Sequence, residues 1–323
     1  MKKLIVRMPN WIGDVVMSLP VLQDLKRKYP DIFLSVLIKE NLKNLLDYNP
    51  YIDEIIDFKD KKEAFDKIDK KYENGLLLTN SFSSSYLFYK AKIKSFGYRK
   101  DFRSFLLKKS LDFPKDKTHQ IDKYKRLLTL FDIERTDEKP KLFLNEKERD
   151  TAINLIKSYG IKDINNLIGI NPTAAFGSAK CWPIDRYQKL SLKLVKLGYT
   201  ILVFADKKSK EKVDPYFDNI DKSILNLSGR TDLKELINII SFLRLFITND
   251  SGPMHIASAL KIPLIAIFGS TCEISTGPYY SETIIKNKVE CSPCFKRKCP
   301  IDFRCMMGIS HIRVFEKVKE MLS

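Results

Sequence analysis

No stretch of the 323-residue chain approaches the roughly 20 consecutive apolar residues that a membrane-spanning helix needs. The opening, MKKLIVRMPN, has the positive end of a secretory signal, but its apolar run stops after three residues at Arg7. A cytosolic protein with reduced thiols is therefore expected. G-x-x-x-x-G-K-[ST] is absent, which excludes a Walker loop. G-x-G-x-x-G is absent too, which argues against a dinucleotide dehydrogenase. RNP, KH and zinc-finger signatures are also missing, and no nucleic-acid partner is expected.

What is present is a folded, strongly basic chain. Hydrophobic residues make up 44% and charged residues 30%, the balance of a globular protein, and the length suffices for two domains with their own cores. The formal charge is +17, from 57 Lys and Arg against 40 Asp and Glu. Such a surplus attracts polyanions, from phosphorylated ligands to anionic lipid, although a lysine-rich solvated surface gives the same number. One segment, YRKDFRSFLLKK (residues 98–109), interleaves basic and apolar residues. It fits either an amphipathic helix or a stretch lying against an anionic surface.

Apolar runs alternate with helix-period segments from the start. LIV, FLSVLI, EIIDF and GLLLTN read as strands. Val15, Val16, Leu19, Leu22 and Leu25 recur at helical steps, with Pro20 expected to kink or restart that helix. A charged middle, residues 133–166, reads as a connection with one helix. A second alternation begins at LIGINP and runs through RYQKLSLKLVKLG, closed by Gly198, then TILVFA and LNLSG. Asp232 with Glu235 three residues on forms a capping-box variant. LFITND, SGPMHIASAL and PLIAIFG then read as strand, helix and strand, with Pro253 in the first helical turn. Strand–helix alternation implies parallel sheets covered on both faces.

In such sheets ligands bind beyond the carboxyl ends of the strands, and the chemically unusual stretches all fall there. PNWIGD follows the first strand, NPTAAFGSAKCWP the first strand of the second half, and TNDSGPMH and FGSTCE two later strands. Ser251-Gly252-Pro253 places free N–H groups at a helix start, an anion seat; Asp250 or Ser251 is expected to cap that helix. His255, one turn in, suits a packed side chain as well as a ligand contact. The small residues of TAAFGSAK let backbone approach a ligand, with Lys180 as cation. Asp14 suits a helix cap or a general base, roles that do not exclude each other. Trp11 suits packing of its loop or stacking on a ligand, and packing is expected.

Four blocks, MPNWIGDVVMSLPVLQDLKRKYP, NPTAAFGSAKCWP, SGRTDLKELINIISFLRLFITNDSGPMHIASAL and CSPCFKRKCP, resemble the bacterial ADP-heptose:lipopolysaccharide heptosyltransferases of glycosyltransferase family nine. The nearest pattern is the heptosyltransferase II type, and HQIDKYKRLL (residues 119–128) is similar too. The resemblance implies an α/β GT-B fold of two Rossmann-like, doubly wound domains facing a cleft. Residues 1–165 would be the acceptor domain with its linker, and residues 166–305 the nucleotide-sugar domain. Residues 306–323 would be a C-terminal helix returning to the first domain.

It also implies inverting transfer of heptose from ADP-heptose to the heptosyl-Kdo-lipid A inner core during lipopolysaccharide core biosynthesis, with no required metal or other cofactor. Asp14 matches the acid of the family's GD motif and is the candidate base, with Asn10 and Gly13 on the acceptor side. Lys180 with the backbone of Ser251 and Gly252 would hold the ADP phosphates, helped by Thr173 and Ser178. Thr231 and Asp250 match positions near the nucleotide and sugar, Glu211 would reach a ribose, and His255 would stand at the same site. Arg99, Arg103 and Lys108, with Lys109, form a basic patch for the anionic acceptor and the cytoplasmic face of the inner membrane. The runner-up readings are a family member with another sugar or acceptor, and a decayed anionic-ligand-binding protein; intact Asp14, Lys180 and NDSGPMH argue against the latter.

Cys291, Cys294, Cys299 and Cys305 are clustered. A reduced structural loop or a local disulfide is expected ahead of a zinc site, because the spacing is short for a zinc ribbon.

Overall fold

The computed structural model describes residues 2–134, 136–161, 163–280 and 283–323. Its contacts fall into two compact units that divide between Phe143 and Leu144. The first unit runs β1 (Lys3–Arg7), α1 (Ile12–Lys28), β2 (Phe33–Lys39), β3 (Glu54–Phe58), α2 (Lys61–Ile68) and β4 (Asn74–Leu77). It continues through α3 (Phe82–Lys90), β5 (Lys94–Arg99), β6 (Leu107–Asp112) and α4 (Gln120–Arg126). All six strands are parallel, in the order β3-β2-β1-β4-β5-β6.

The second unit begins with α5 (Glu146–Ser158), β7 (Leu167–Asn171), α6 (Ile184–Val195), β8 (Thr200–Val203), α7 (Lys210–Phe217) and β9 (Ile224–Asn226). Then come α8 (Leu233–Ile240), β10 (Leu245–Asn249), α9 (Gly252–Ala259), β11 (Leu264–Phe268), α10 (Glu273–Thr276), β12 (Thr283–Lys286), α11 (Arg304–Met307) and α12 (His311–Leu322). Its parallel order, β12-β11-β10-β7-β8-β9, repeats the topology of the first sheet. In each unit the chain leaves its first strand in one direction and later returns to the other side. That reversal lies between β1 and β4 and between β7 and β10, where open α/β sheets leave a crevice beyond their strand ends.

The central strands are mostly apolar because both faces are covered: β7, β10 and β11 are buried at every position, with polar residues only at the carboxyl ends of β7 and β10. Helix α1 runs unbroken through Pro20, against the expected kink or restart. Every residue from Val15 to Leu25 is buried, and that packing offsets the roughly 3 kcal/mol that an internal proline costs a helix. The capping box before α8 forms as read: Asp232 accepts from the Glu235 N–H and Glu235 from the Asp232 N–H, each at 2.8 Å. Helix α5 lies in the second unit rather than in a linker, since Ala152 and Ile156 are buried and the helix packs on α8. Helix α12, expected on the first domain, packs on α6, with Val314 and Val318 in the core of the second unit. Among the described residues no helix is long and apolar enough to cross a membrane.

The segment 98–109 is not an amphipathic helix. It contains the end of β5, a single 3-10 turn over Ser104–Leu106 and the start of β6. Its anchor is Arg103, fully buried. The guanidinium donates to the carbonyls of Tyr98 at 2.9 Å and Thr79 at 2.7 Å, and to Asn80 Oδ1 at 3.3 Å. Burial pulls its pKa down to about 10. The side chain assigned to an exposed basic patch is thus the tie between the β5–β6 crossover and the β4–α3 loop. Arg103→Met would strand these buried acceptors and should lower stability by about 2–4 kcal/mol, read as a lower urea midpoint at unchanged m-value. A midpoint like that of the wild type would show the tie to be dispensable.

Candidate active site

In the first unit the site begins where β1 ends. Arg7, 5% exposed, donates to Asn10 Oδ1 at 2.6 Å and to the Met8 and Leu37 carbonyls. Its guanidinium lies 4.7 Å from the Phe58 ring centre, and burial pulls its pKa down to about 10. This buried cation holds Asn10 and the loop that leads into α1. Trp11 occupies the N-cap of α1 without a side-chain cap bond, and Asp14 stands in the first turn, where the positive end of the helix favours a carboxylate. The Tyr124 hydroxyl on α4, 110 residues away in sequence, donates to Asp14 Oδ1 at 3.0 Å. Burial, and after it the Asp14 charge, push the Tyr124 pKa well above 10, so the phenol stays a donor. Trp11 is 60% exposed and does not pack the loop as expected. It presents an indole face beside Asp14 in sequence.

In the second unit the site lies on both sides of the β7/β10 reversal. Asn171, at the end of β7, donates to Ser251 Oγ at 3.0 Å, Thr248 Oγ1 at 3.2 Å and the Thr173 carbonyl at 3.0 Å. Lys180 forms an ion pair with Asp250 at 2.6 Å, the two side chains 13% and 4% exposed. Thr271, after β11, donates to the same Asp250 oxygen at 2.6 Å, and Thr276 at 3.4 Å. The carboxylate therefore does not cap α9; it positions an ammonium. Ser251 takes the N-cap backbone position without a side-chain cap bond, its hydroxyl lying 3.0 Å from Thr248 Oγ1. Gly252 opens the helix with Pro253 behind it, and the N–H groups of the first turn lie at the strand-carboxyl edge.

The loop that carries Lys180 is shaped by the cysteine-rich segment. Gly177 has φ 153°, and a Cβ there would meet the Arg297 carbonyl oxygen at 2.3 Å. The Ala179 N–H donates to that carbonyl at 3.1 Å, and the Phe295 N–H to the Ser270 carbonyl at 2.7 Å. Lys180 and Arg297 both lie over the Phe176 ring, at 4.9 and 5.4 Å. Trp182, fully buried, closes the loop by donating from Nε1 to the Ile309 carbonyl at 2.9 Å. Cys291, Cys294, Cys299 and Cys305 are thiols in this arrangement. Among the described residues no group of three or more His, Cys, Asp or Glu is placed to hold a metal.

The family model for glycosyltransferase family 9 (heptosyltransferase) matches residues 65–303. The chain belongs to this family. Similar to this family 9 chain is the lipooligosaccharide heptosyltransferase 2 of Campylobacter jejuni, 28% identical across 99% of both chains. The lipopolysaccharide heptosyltransferase 2 of Escherichia coli is 28% identical over 85% of each. The solved structure of E. coli ADP-heptose lps heptosyltransferase II is 26% identical, aligns over 100% of this chain and 98% of its own, and has a TM-score of 0.86. The two parallel six-stranded units are accordingly the GT-B-like fold of a heptosyltransferase.

Against this fold the residues picked from sequence separate. Asn10, Gly13 and Asp14 share one strand–helix junction, while Lys180, Asp250, Ser251 and Gly252 share another with Thr173 and Ser178 on its loop. His255 is buried one turn into α9. Thr231, just before the α8 cap, and Glu211, exposed in the first turn of α7, stand on the neighbouring loops after β9 and β8. Arg99 pairs with Asp112 at 3.2 Å. Lys108 lies near the amino end of β6, the sheet edge opposite Asp14, which counts against it as an acceptor contact. Sequence reasoning missed Tyr124, Asn171, Thr271, Thr276 and Arg297. Tyr124 lies in the family-like HQIDKYKRLL, Asn171 in NPTAAFGSAKCWP, Arg297 in CSPCFKRKCP and Thr271 in the strand-end FGSTCE, whereas Thr276 lies in none of these stretches. Gly177→Ala should lower stability by about 1–3 kcal/mol, seen as an earlier thermal transition. A Gly177→Ala protein melting with the wild type would contradict the close approach to Arg297.

Proposed function

We propose that this heptosyltransferase moves heptose from ADP-heptose to the heptosyl-Kdo-lipid A inner core, with inversion, at the cytoplasmic face of the inner membrane. The similarity to heptosyltransferases of the second type supports the donor and acceptor. The observation that carries the chemical reading is the Tyr124 hydroxyl on Asp14 at the strand-carboxyl edge, because it fixes the orientation of a carboxylate suited to act as base.

Inverting transfer is a single displacement. Asp14 takes the proton of the acceptor hydroxyl as its oxygen bonds to the anomeric carbon, and the bond from that carbon to the diphosphate oxygen breaks. Negative charge then builds on ADP. Lys180, steered by Asp250, and the first-turn N–H groups of α9 are the groups suited to receive it. Thr173 and Ser178 add polar groups from the same loop, and Thr231 and Glu211 suit the nucleoside. The exposed Trp11 face offers a stacking surface for an acceptor sugar.

Asp14→Asn should lower kcat at least a hundredfold while ADP affinity stays at the wild-type value by calorimetry; near-normal turnover would remove Asp14 as base. Lys180→Met should weaken ADP between about ten- and a hundredfold, about 1.4–2.8 kcal/mol. An unchanged Kd would move the diphosphate elsewhere. The substrate assignment is tested by turnover with ADP-heptose against a UDP-sugar, on acceptors carrying no heptose or one. Transfer only to the singly heptosylated acceptor is expected.

A further inference from the structure

Five large aromatic side chains stand in solvent on one part of the first unit. Phe82, Tyr86 and Tyr89 project from α3 at helical steps, 43%, 52% and 61% exposed. Phe102 and Phe105, on the β5–β6 crossover, are 94% and 75% exposed. Four of them are contiguous: the Phe82 ring centre lies 6.3 Å from that of Tyr86 and 6.3 Å from that of Phe105, and Phe105 borders the same recess as Tyr89. Phe102 stands at the tip of the same crossover as Phe105. The tip is held in an unfavourable conformation, since Asp101 and Phe102 both have left-handed backbone, φ 54° and 57°, which costs each non-glycine residue of order 1 kcal/mol. The buried Arg103 next to Phe102 locks this tip against the β4–α3 loop. A rigid mount that pushes a phenylalanine outward is poorly explained by the needs of the free chain.

The surroundings are basic. Residues 82–109 contain eight Lys and Arg and a single acid, Asp101. Lys90, Lys92, Lys94, Lys108 and the rings of Tyr89 and Phe105 border one open recess of about 590 Å³, and among these lysines Lys94 is paired, with Glu73 at 2.9 Å. Protein–protein interfaces are depleted in lysine. Exposed aromatics ringed by lysine are instead the composition of surfaces that sit at the headgroup level of anionic membranes.

We propose that the outer face of α3 and the β5–β6 crossover form a membrane-docking surface for anionic phospholipid. Phe102 and Phe105 enter the acyl boundary, the tyrosines lie at the headgroups, and the lysines meet lipid phosphates. Helix α3 starts from the carboxyl end of β4, which pairs with β1, so the ridge begins at the sheet edge that carries Asp14. The ridge then runs back toward the amino edge, where Lys90, Lys92, Lys94 and Lys108 lie, so docking lays this flank of the sheet on the bilayer and keeps the Asp14 edge beside it. This purpose, though not the docking itself, rests on the lipid-linked acceptor proposed above.

The test uses the full chain and sedimentation with vesicles of phosphatidylcholine and phosphatidylglycerol, 3:1 (about a quarter anionic), against phosphatidylcholine alone. Wild-type protein should bind the anionic vesicles and release them as salt rises. Phe102→Ser/Phe105→Ser and, separately, Lys90→Glu/Lys92→Glu should each weaken binding at least tenfold at unchanged melting temperature. Wild-type protein that ignores anionic vesicles, or a serine double variant that binds as well as the wild type, would overturn the proposal. So would a shift of the serine variant from dimer to monomer without any vesicle binding, which would make the ridge a self-association face. Heptose transfer to a water-soluble acceptor reads the chemistry separately. Its failure in wild-type protein would sink the functional reading and leave the vesicle result standing.

Discussion

A parallel strand can be followed by another in the same sheet only if the chain crosses back over one face. Every strand–helix junction is thereby delivered to the same edge, and a sheet that grows first one way and then the other opens a gap at the reversal. Both units obey this constraint with the same strand order. The consequence is visible in the residues. Asn10–Asp14 follow β1, Arg103 reaches the carbonyls after β4, and Asn171 and Asn249–Gly252 flank the β7/β10 reversal. The chemistry is placed by topology, and individual side chains refine it.

The two junctions are refined by opposite electrostatics. Beside β1 a buried arginine organises the loop and a buried tyrosine orients a carboxylate. Beside β10 a nearly buried carboxylate organises the site, and the group it orients is an ammonium. A buried ion pair contributes little net stability, but removing either partner leaves the other uncompensated. The Lys180–Asp250 pair is therefore better understood as a positioning device, one that holds a cation ready at a helix start while Thr271 and Thr276 satisfy the acid.

Strands β1 to β4, the capping box and the helix start after Asp250 were legible from local pattern, because apolar period, turn chemistry and caps act over a few residues. The unbroken α1 was not, since burial on all sides overrode the local cost of Pro20. The 98–109 crossover is no amphipathic helix, because its alternation of basic and apolar residues reflects one buried arginine and an exposed aromatic tip, a distinction invisible without the fold. Asp14 and Lys180 were found through motif and position. Their partners were harder: Tyr124 reaches Asp14 across 110 residues, and Arg297 supplies a backbone carbonyl, which no side-chain pattern encodes. The cysteine-rich segment, read for its thiols, matters here for the wall it builds against Gly177.

The central claim is a division of labour, with nucleotide on the second sheet and the acceptor base on the first. Backbone hydrogen exchange with and without saturating ADP tests it most directly. The account predicts slowed exchange in residues 174–181 and at the start of α9, with residues 10–16 and α4 unchanged. ADP-dependent protection at residues 10–16 without protection at residues 174–181 would contradict it.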